Sequence, residues 1–324
     1  MDKYNQFKQL VDEKLLRPGS EKEPKRLYKP IDYILGLGGK RLRPVLTLAG
    51  CDLFGGKPEQ ALAAAVGLEI FHNFTLLHDD IMDKADVRRG KTTVHKKWNS
   101  NVAILSGDTM FAIAFQQMAQ GQSNRSHEIL DTFTKTAIEV CEGQQYDMDF
   151  ETTNEVSIPD YINMIRLKTA VLLGCSLKIG AFCANAENRQ AQLIYDFGVN
   201  IGLAFQLKDD YLDAFGNLEK FGKKIGGDIA ENKKTYLYLK CLELADSDDR
   251  KLLLKLYSDS TDNTKTKIPE VLALYKKYNI KTATIDEMGK YFGTALEIMS
   301  RADAPEGKKK DMLTYAEWLY KRDH

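Results

Sequence analysis

The chain has 324 residues, of which 43% are hydrophobic, with 23 glycines and 8 prolines, the make-up of an ordinary folded protein with ample material for a core. Lysine plus arginine balances aspartate plus glutamate at 46 each, and no basic stripe is interleaved with aromatics, which argues against a nucleic-acid partner. The five cysteines, Cys51, Cys141, Cys175, Cys183 and Cys241, stand singly without CxxC or zinc spacing, as free thiols of a reducing cytoplasm do.

Met1 to Leu16 alternates charged and apolar residues and carries no signal-peptide pattern. Beyond it, apolar residues recur three and four apart, as in Ala61-Leu62, Ala65-Val66, Leu68 and Phe71 to Leu77, and the pattern persists to the C-terminus. Pro30, Pro44, Pro58, Pro159 and Pro269 are placed as helix boundaries, and no stretch shows sustained strand alternation. The sequence therefore predicts an all-α protein. Breaks at Pro18 to Ser20, Phe54 to Pro58, Gly90 to Thr93, Gly121 to Ser126, Gly222 to Asn232 and Ser258 to Thr266 are too short for interdomain linkers. Residues 1–324 are read as one domain, a single large helical bundle. The most apolar stretch, Thr169 to Ala186, is broken by Lys178 and falls short of the roughly 20 apolar residues of a membrane span.

The segment Gly38-Gly39-Lys40-Arg41-Leu42-Arg43-Pro44 puts a glycine turn and three cations before a helix starting near Pro44, an arrangement that suits an anion but also describes a solvated loop. Further on, an apolar helix ends in Asp79-Asp80-Ile81-Met82-Asp83. Residues three and four apart share a helix face, so these carboxylates repel one another until a cation joins them. Mg²⁺ prefers one or two carboxylates together with substrate phosphates, whereas a lone DDxxD taken by itself is better read as an acidic helix end. Arg88-Arg89-Gly90 follows on a turn. Its guanidiniums suit a diphosphate clamp, or simply pair with the carboxylates.

Lys168-Thr169 opens a Gly/Ala/Cys-rich helix, where a buried lysine needs an anion and an exposed one snorkels out. Phe205-Gln206-Leu207-Lys208-Asp209-Asp210-Tyr211-Leu212-Asp213 then repeats the first motif's spacing behind a second apolar helix. Two such motifs by accident are improbable. The basic loop Gly222-Lys223-Lys224 and the run Lys233-Lys234-Thr235 follow.

The ordered series GGKRLRP, LLHDDIMD, RRG, KT, FQLKDDYLD and GK resembles the trans-isoprenyl diphosphate synthase family from about Ile31 onward. The resemblance implies an all-α bundle around a central cavity, usually a homodimer, and a cytoplasmic transferase of isoprenoid biosynthesis. It implies Mg²⁺, three ions per site, on Asp79, Asp83 and Asp209, with Asp80 and Asp213 in support, and counts Asp79, Asp80, Asp83, Lys168, Asp209 and Asp210 as catalytic. Arg88, Lys168, Thr169, Gln206, Lys223 and Lys233 would hold the allylic diphosphate or line its cleavage site, and Lys40, Arg43, His72 and Arg89 would hold isopentenyl diphosphate. Two positions depart from the family pattern: Asn217 stands where many relatives carry Asp, and Asn232 where Gly is usual.

A prenyl tail held at Asp79 would run back along its helix, and Phe74 lies about 7.5 Å up the axis at 1.5 Å per residue. Phe74, with small Thr75 beside it and Phe71 as a deeper floor, resembles the pattern of short-chain geranylgeranyl synthases, with farnesyl diphosphate the alternative product. On sequence alone, plain core packing is the safer reading of Phe74. A terpene cyclase, a phosphohydrolase built on His72, His78-Asp79 and His95, and a non-catalytic synthase partner are rivals. The first lacks a use for Lys40, Arg43 and Arg89, and the second leaves the later aspartates idle.

Overall fold

The structure is a computed structural model that describes residues 2–15, 22–121, 123–153, 155–216, 225–258 and 264–321. Its helices are α1 (Asp2–Leu15), α2 (Lys25–Gly36), α3 (Leu42–Leu53), α4 (Pro58–Met82), α5 (Val94–Lys97), α6 (Ser100–Ala119), α7 (Ser126–Thr152), α8 (Ile158–Ile165), α9 (Val171–Cys183), α10 (Asn188–Phe215), α11 (Gly227–Ala230), α12 (Tyr236–Leu244), α13 (Ser247–Ser258), α14 (Thr264–Lys277), α15 (Ile280–Ser300) and α16 (Glu306–Lys321). The all-α expectation holds. Pro58 and Pro159 sit at helix starts, where the missing N–H costs nothing, whereas Pro30 and Pro269 lie inside α2 and α14.

Two compact units are distinguished. The first comprises Met1–Lys135, Cys175–Tyr195 and Asp303–Lys309. Here α4 is the central helix, packed by α1, α2, α3 and α6. Small residues let α6 approach along its whole length: a Cβ at Gly67 would lie 3.0 Å from Gln117 and Met118, and one at Gly107 would run into the His78 ring. By length and composition α4 is the one helix among the described residues apolar enough to cross a membrane, and the Thr169 to Ala186 stretch falls short, as the sequence predicts. Yet 61% of that window is buried in protein, as in a core helix.

The second unit comprises Thr136–Gly174, Asp196–Ala302 and Lys310–His324. Its core gathers Tyr161, Leu203, Leu207, Leu237, Leu253, Val271, Tyr275 and Ile280. Between α8 and α9 the chain makes a five-residue π-helical turn, Arg166–Ala170. From the sequence, Lys168-Thr169 is expected at the start of an ordinary helix. Two glycines make room for the wider turn: a side chain at Gly143 of α7 would collide with the Lys168 backbone, and a Cβ at Gly202 of α10 would sit 2.6 Å from the Ala170 Cα. Four cysteines are buried, Cys141 is exposed, and all five are free thiols.

Candidate active site

The first aspartate motif closes α4. Asp79 and Asp80 lie in its last turn, and Asp83 is the C-cap, its N–H donating to the Asp79 carbonyl at 2.8 Å. A helix C-terminus carries partial negative charge, which costs an anion there roughly 0.3–1 kcal/mol, so three carboxylates at this end weaken the fold. Asp80 is buried, which pushes its carboxyl above the usual range. Arg88 opposes that shift by donating from Nε to Asp80 Oδ1 at 2.7 Å. Half-buried Asp79 and exposed Asp83 are the hard oxygen donors presented outward. Among the described residues no three His, Cys, Asp or Glu side chains form a closed metal cage. Magnesium, which takes few protein ligands and fills its octahedron with water and phosphate oxygens, fits such an open set.

Arg88 belongs to a two-stranded antiparallel hairpin, β1 (Val87–Arg88) with β2 (Lys91–Thr92), which the sequence reading missed. Arg89 and Gly90 form its turn with φ of 52° and 72°, a left-handed pair of the kind that suits a two-residue hairpin. The segment after β2 clasps the turn that follows the aspartates: the Thr93 hydroxyl donates to the Ala85 carbonyl at 2.7 Å, and Lys96 pairs with Asp86 at 2.9 Å. His95 of α5 lies electrostatically close to Asp80 and Asp86, with both ring nitrogens buried and unpartnered.

The glycine turn before α3 sorts its cations by direction. Arg41, at φ 53°, turns inward and is buried, bonded to Glu69 at 2.7 Å, Asp12 at 2.8 Å and the Leu35 carbonyl at 2.9 Å. Lys40 is exposed. Arg43 points Nη1 at His72 Nε2, 3.0 Å away, while its buried Nε has no partner. Burial lowers the Arg43 guanidinium to about 10, with Arg89 adding to the shift. Burial and the surrounding arginines, Arg43 foremost, hold His72 well below its usual range, so the ring is neutral and accepts from Arg43. Arg89 donates to the Gly38 carbonyl and lies against Gly39, where a Cβ would come within 2.9 Å of the guanidinium. Crowded arginines with an unsatisfied buried N–H make a pocket for an anion. Glu69, which anchors Arg41 and accepts from Asn73, escaped the sequence reading.

The second motif ends α10. Asp210 is buried between two donors, with the Tyr161 hydroxyl on Oδ2 and Gln206 Nε2 on Oδ1 at 3.4 Å. The Thr169 hydroxyl donates to Gln206 Oε1 at 3.2 Å. Burial, reinforced by Asp228, pushes the Asp210 carboxyl well above its usual range. Asp213 accepts the Asp228 N–H at 3.0 Å and so fixes the turn into α11. Lys168 reaches Asp147 of α7 at 2.5 Å. Burial opposes the charge on Lys233, but a 2.9 Å contact with Glu231 and the proximity of Asp228 raise it overall. Lys234 is a capping cation, donating to the Phe150 and Thr153 carbonyls at 2.6 Å. Asn232 has φ 59°, a left-handed conformation that asparagine tolerates better than other side chains, which accounts for its standing where glycine is usual. Lys223 lies outside the described residues.

Upstream on α4, Phe71 is fully buried and Phe74 half-buried, their rings 5.6 Å apart. Both pack on Phe111 of α6, and Phe71 also meets Phe133 of α7 edge-on at 5.2 Å. Phe111, Phe115 and Phe133 join Phe71 and Phe74 in one aromatic cluster larger than the sequence identified. Thr75 bonds the His72 carbonyl at 2.8 Å. His72 is engaged by Arg43, and His78 lies against α6 with Nε2 3.3 Å from the Ile104 carbonyl, which leaves the hydrolase reading without its histidine set.

Residues 24–275 match the family model for polyprenyl synthetase. The chain belongs to the polyprenyl synthetase family. It is 33% identical to a short chain isoprenyl diphosphate synthase of Methanothermobacter thermautotrophicus over 100% of this chain and 99% of that one. To a geranylgeranyl diphosphate synthase of Sulfolobus acidocaldarius it is 38% identical over 86% of this chain and 87% of the other. A crystal structure of a geranylgeranyl pyrophosphate synthase superposes with a TM-score of 0.92 at 44% identity, covering 100% of this chain and 98% of its own. The family and these likenesses identify the chain as a trans-prenyltransferase.

Proposed function

We propose that this polyprenyl synthetase condenses isopentenyl diphosphate with dimethylallyl, geranyl and farnesyl diphosphates and releases geranylgeranyl diphosphate. The observation that carries the reading is the Arg43–His72–Arg89 pocket with its unpartnered Arg43 Nε, a diphosphate site distinct in composition from the aspartate helix ends. A second, metal-free anion pocket is what a condensing enzyme requires and a cyclase does not. Lys40 at its exposed edge completes the cation set for isopentenyl diphosphate.

Asp79, Asp83 and Asp209 would hold Mg²⁺, which when bound neutralises charge on the allylic diphosphate. Asp80 keeps Arg88 in place through Nε, so the guanidinium's other two nitrogens serve the leaving diphosphate. Lys168 and Lys233 supply further fixed cations opposite the charge that grows as the allylic C–O bond breaks. Thr169 and Gln206 present oxygen dipoles to the carbocation, and the isopentenyl double bond captures it. The departing diphosphate then takes the proton.

Names of relatives similar to this chain, the chain's resemblance to short-chain geranylgeranyl synthases and the Phe71, Phe74, Phe111 floor support a C20 product. By the same family resemblance the chain acts as one cytoplasmic domain and pairs as a homodimer. Purified chain with Mg²⁺, isopentenyl diphosphate and each allylic primer is expected to give geranylgeranyl diphosphate by product chromatography. Accumulation of farnesyl diphosphate instead establishes the shorter product, and release of free diphosphate without condensation rejects the reading.

A further inference from the structure

The second aspartate motif contains a residue whose surroundings set it apart from its neighbours. Both Asp210 oxygens are committed inside the protein, Oδ2 to Tyr161 and Oδ1 to Gln206, and the side chain is buried on an anion-unfavourable helix end beside Asp209 and Asp228. Tyr161 is itself buried, at the first turn of α8, and its hydroxyl has Asp210 as acceptor. A carboxylate placed this way is costly unless its hydrogen bonds do something for the molecule.

The chain of bonds runs Tyr161 to Asp210, then Gln206, then Thr169. An amide has a donor end and an acceptor end, and the two are exchanged by a half-turn about the last side-chain torsion. With Nε2 held by Asp210, Gln206 presents Oε1 on the Thr169 side. Turned the other way, it would present N–H groups, whose positive ends repel a carbocation. The backbone is built to serve this contact: Gly202, one helical turn before Gln206, admits Ala170, and Gly143 admits Lys168, so the π turn brings Thr169 onto the face of α10 that carries Gln206.

We propose that Tyr161 is a positioning residue which, through Asp210, fixes the direction of the Gln206 amide, so that an oxygen rather than an N–H faces the reacting allylic carbon. This rests on the prenyltransferase reading of the site. Asp210 then serves as an orienter, in contrast to Asp209, to which the metal role is assigned.

Tyr161→Phe keeps the ring and removes the hydroxyl. In the full chain with Mg²⁺, isopentenyl diphosphate and farnesyl diphosphate, kcat should fall about tenfold to a hundredfold, with both KM values and the Mg²⁺ dependence within about twofold of the parent. Allylic alcohol, from water capturing the cation, should rise relative to condensed product. In a Gln206→Met background the same change should cost less than about twofold, because the group it acts through is gone. Asp210→Asn, which can hold the amide either way round, should reproduce the alcohol by-product and serves in place of Tyr161→Phe should that variant fail to fold. An unchanged kcat without alcohol, a rise in KM or Mg²⁺ requirement in place of a kcat loss, or a full loss persisting in the Gln206→Met background each overturns the assignment while the parent enzyme still condenses. A parent chain that makes no prenyl diphosphate removes the functional reading and this assignment with it.

Discussion

The two aspartate-rich helix ends share a sequence pattern and are satisfied by opposite means. At the end of α4 the buried middle aspartate, Asp80, is met by a guanidinium, and three more arginines, Arg41, Arg43 and Arg89, crowd His72 about two turns earlier on the same helix. At the end of α10 the equivalent Asp210 is met by a phenol and an amide, both neutral. A full charge repeats less geometry than it supplies field, so the first end is suited to holding diphosphates. Neutral dipoles supply direction, and so the second end is suited to shaping the cation's surroundings.

The largest test of the contrast is to remove the outward carboxylates at each end. Asp83→Ala and Asp209→Ala are each expected to lower kcat/KM by about a thousandfold or more, since both are assigned to the metals. Asp80→Asn should cost about ten- to a hundredfold, mostly as a higher KM for the allylic diphosphate, because Asp80 acts through Arg88. Steady-state kinetics on the three variants would erase the distinction if Asp80→Asn proved as severe as the others.

Next in size, Arg43→Met is expected to raise the KM for isopentenyl diphosphate about a hundredfold and to leave that of the allylic substrate within about threefold. Equal rises in both would merge the two diphosphate pockets into one. Phe74→Ala should lengthen the product by at least one five-carbon unit, read by chromatography. Phe71→Ala, deeper in the core, should chiefly destabilise the fold, by about 3–5 kcal/mol in denaturant unfolding.

The smallest effect concerns pH. His72 is held neutral in the fold with its pKa below the unfolded value of 6.5, so the unfolded chain binds the extra proton first. Stability from this group is therefore complete above pH 6.5 and is lost as the pH falls below it. Between pH 6.5 and 5.5 the melting temperature should drop by about 2 °C more than in a His72→Gln variant.

Helical period and the spacing of the charged motifs made the fold and the chemical class legible in the sequence, because both depend on residue types along one element. What escaped depended on backbone direction. The hairpin at Val87–Arg88 and Lys91–Thr92 has strands of two residues, too short for any alternation, and only the Arg89-Gly90 pair marks it. Lys40, Arg41 and Arg43 are indistinguishable as cations, yet a left-handed φ at Arg41 turns that side chain inward to Glu69. Lys233 and Lys234 separate likewise, the first toward Asp228 and Glu231 and the second onto the end of α7. Phe111 and Phe115 are spaced as one helix face, but their meeting with Phe71 and Phe74 is a tertiary fact.

The π turn at Arg166–Ala170 holds one residue more than an α-helical count would allow, and that surplus residue is what sets Thr169 opposite Gln206. Deleting Arg166 or Leu167 would restore the ordinary α-helical count and change the face on which Thr169 emerges. In this stretch length is constrained as well as composition: losing the codon for Arg166 or Leu167 would disconnect the hydroxyl from the amide without altering either.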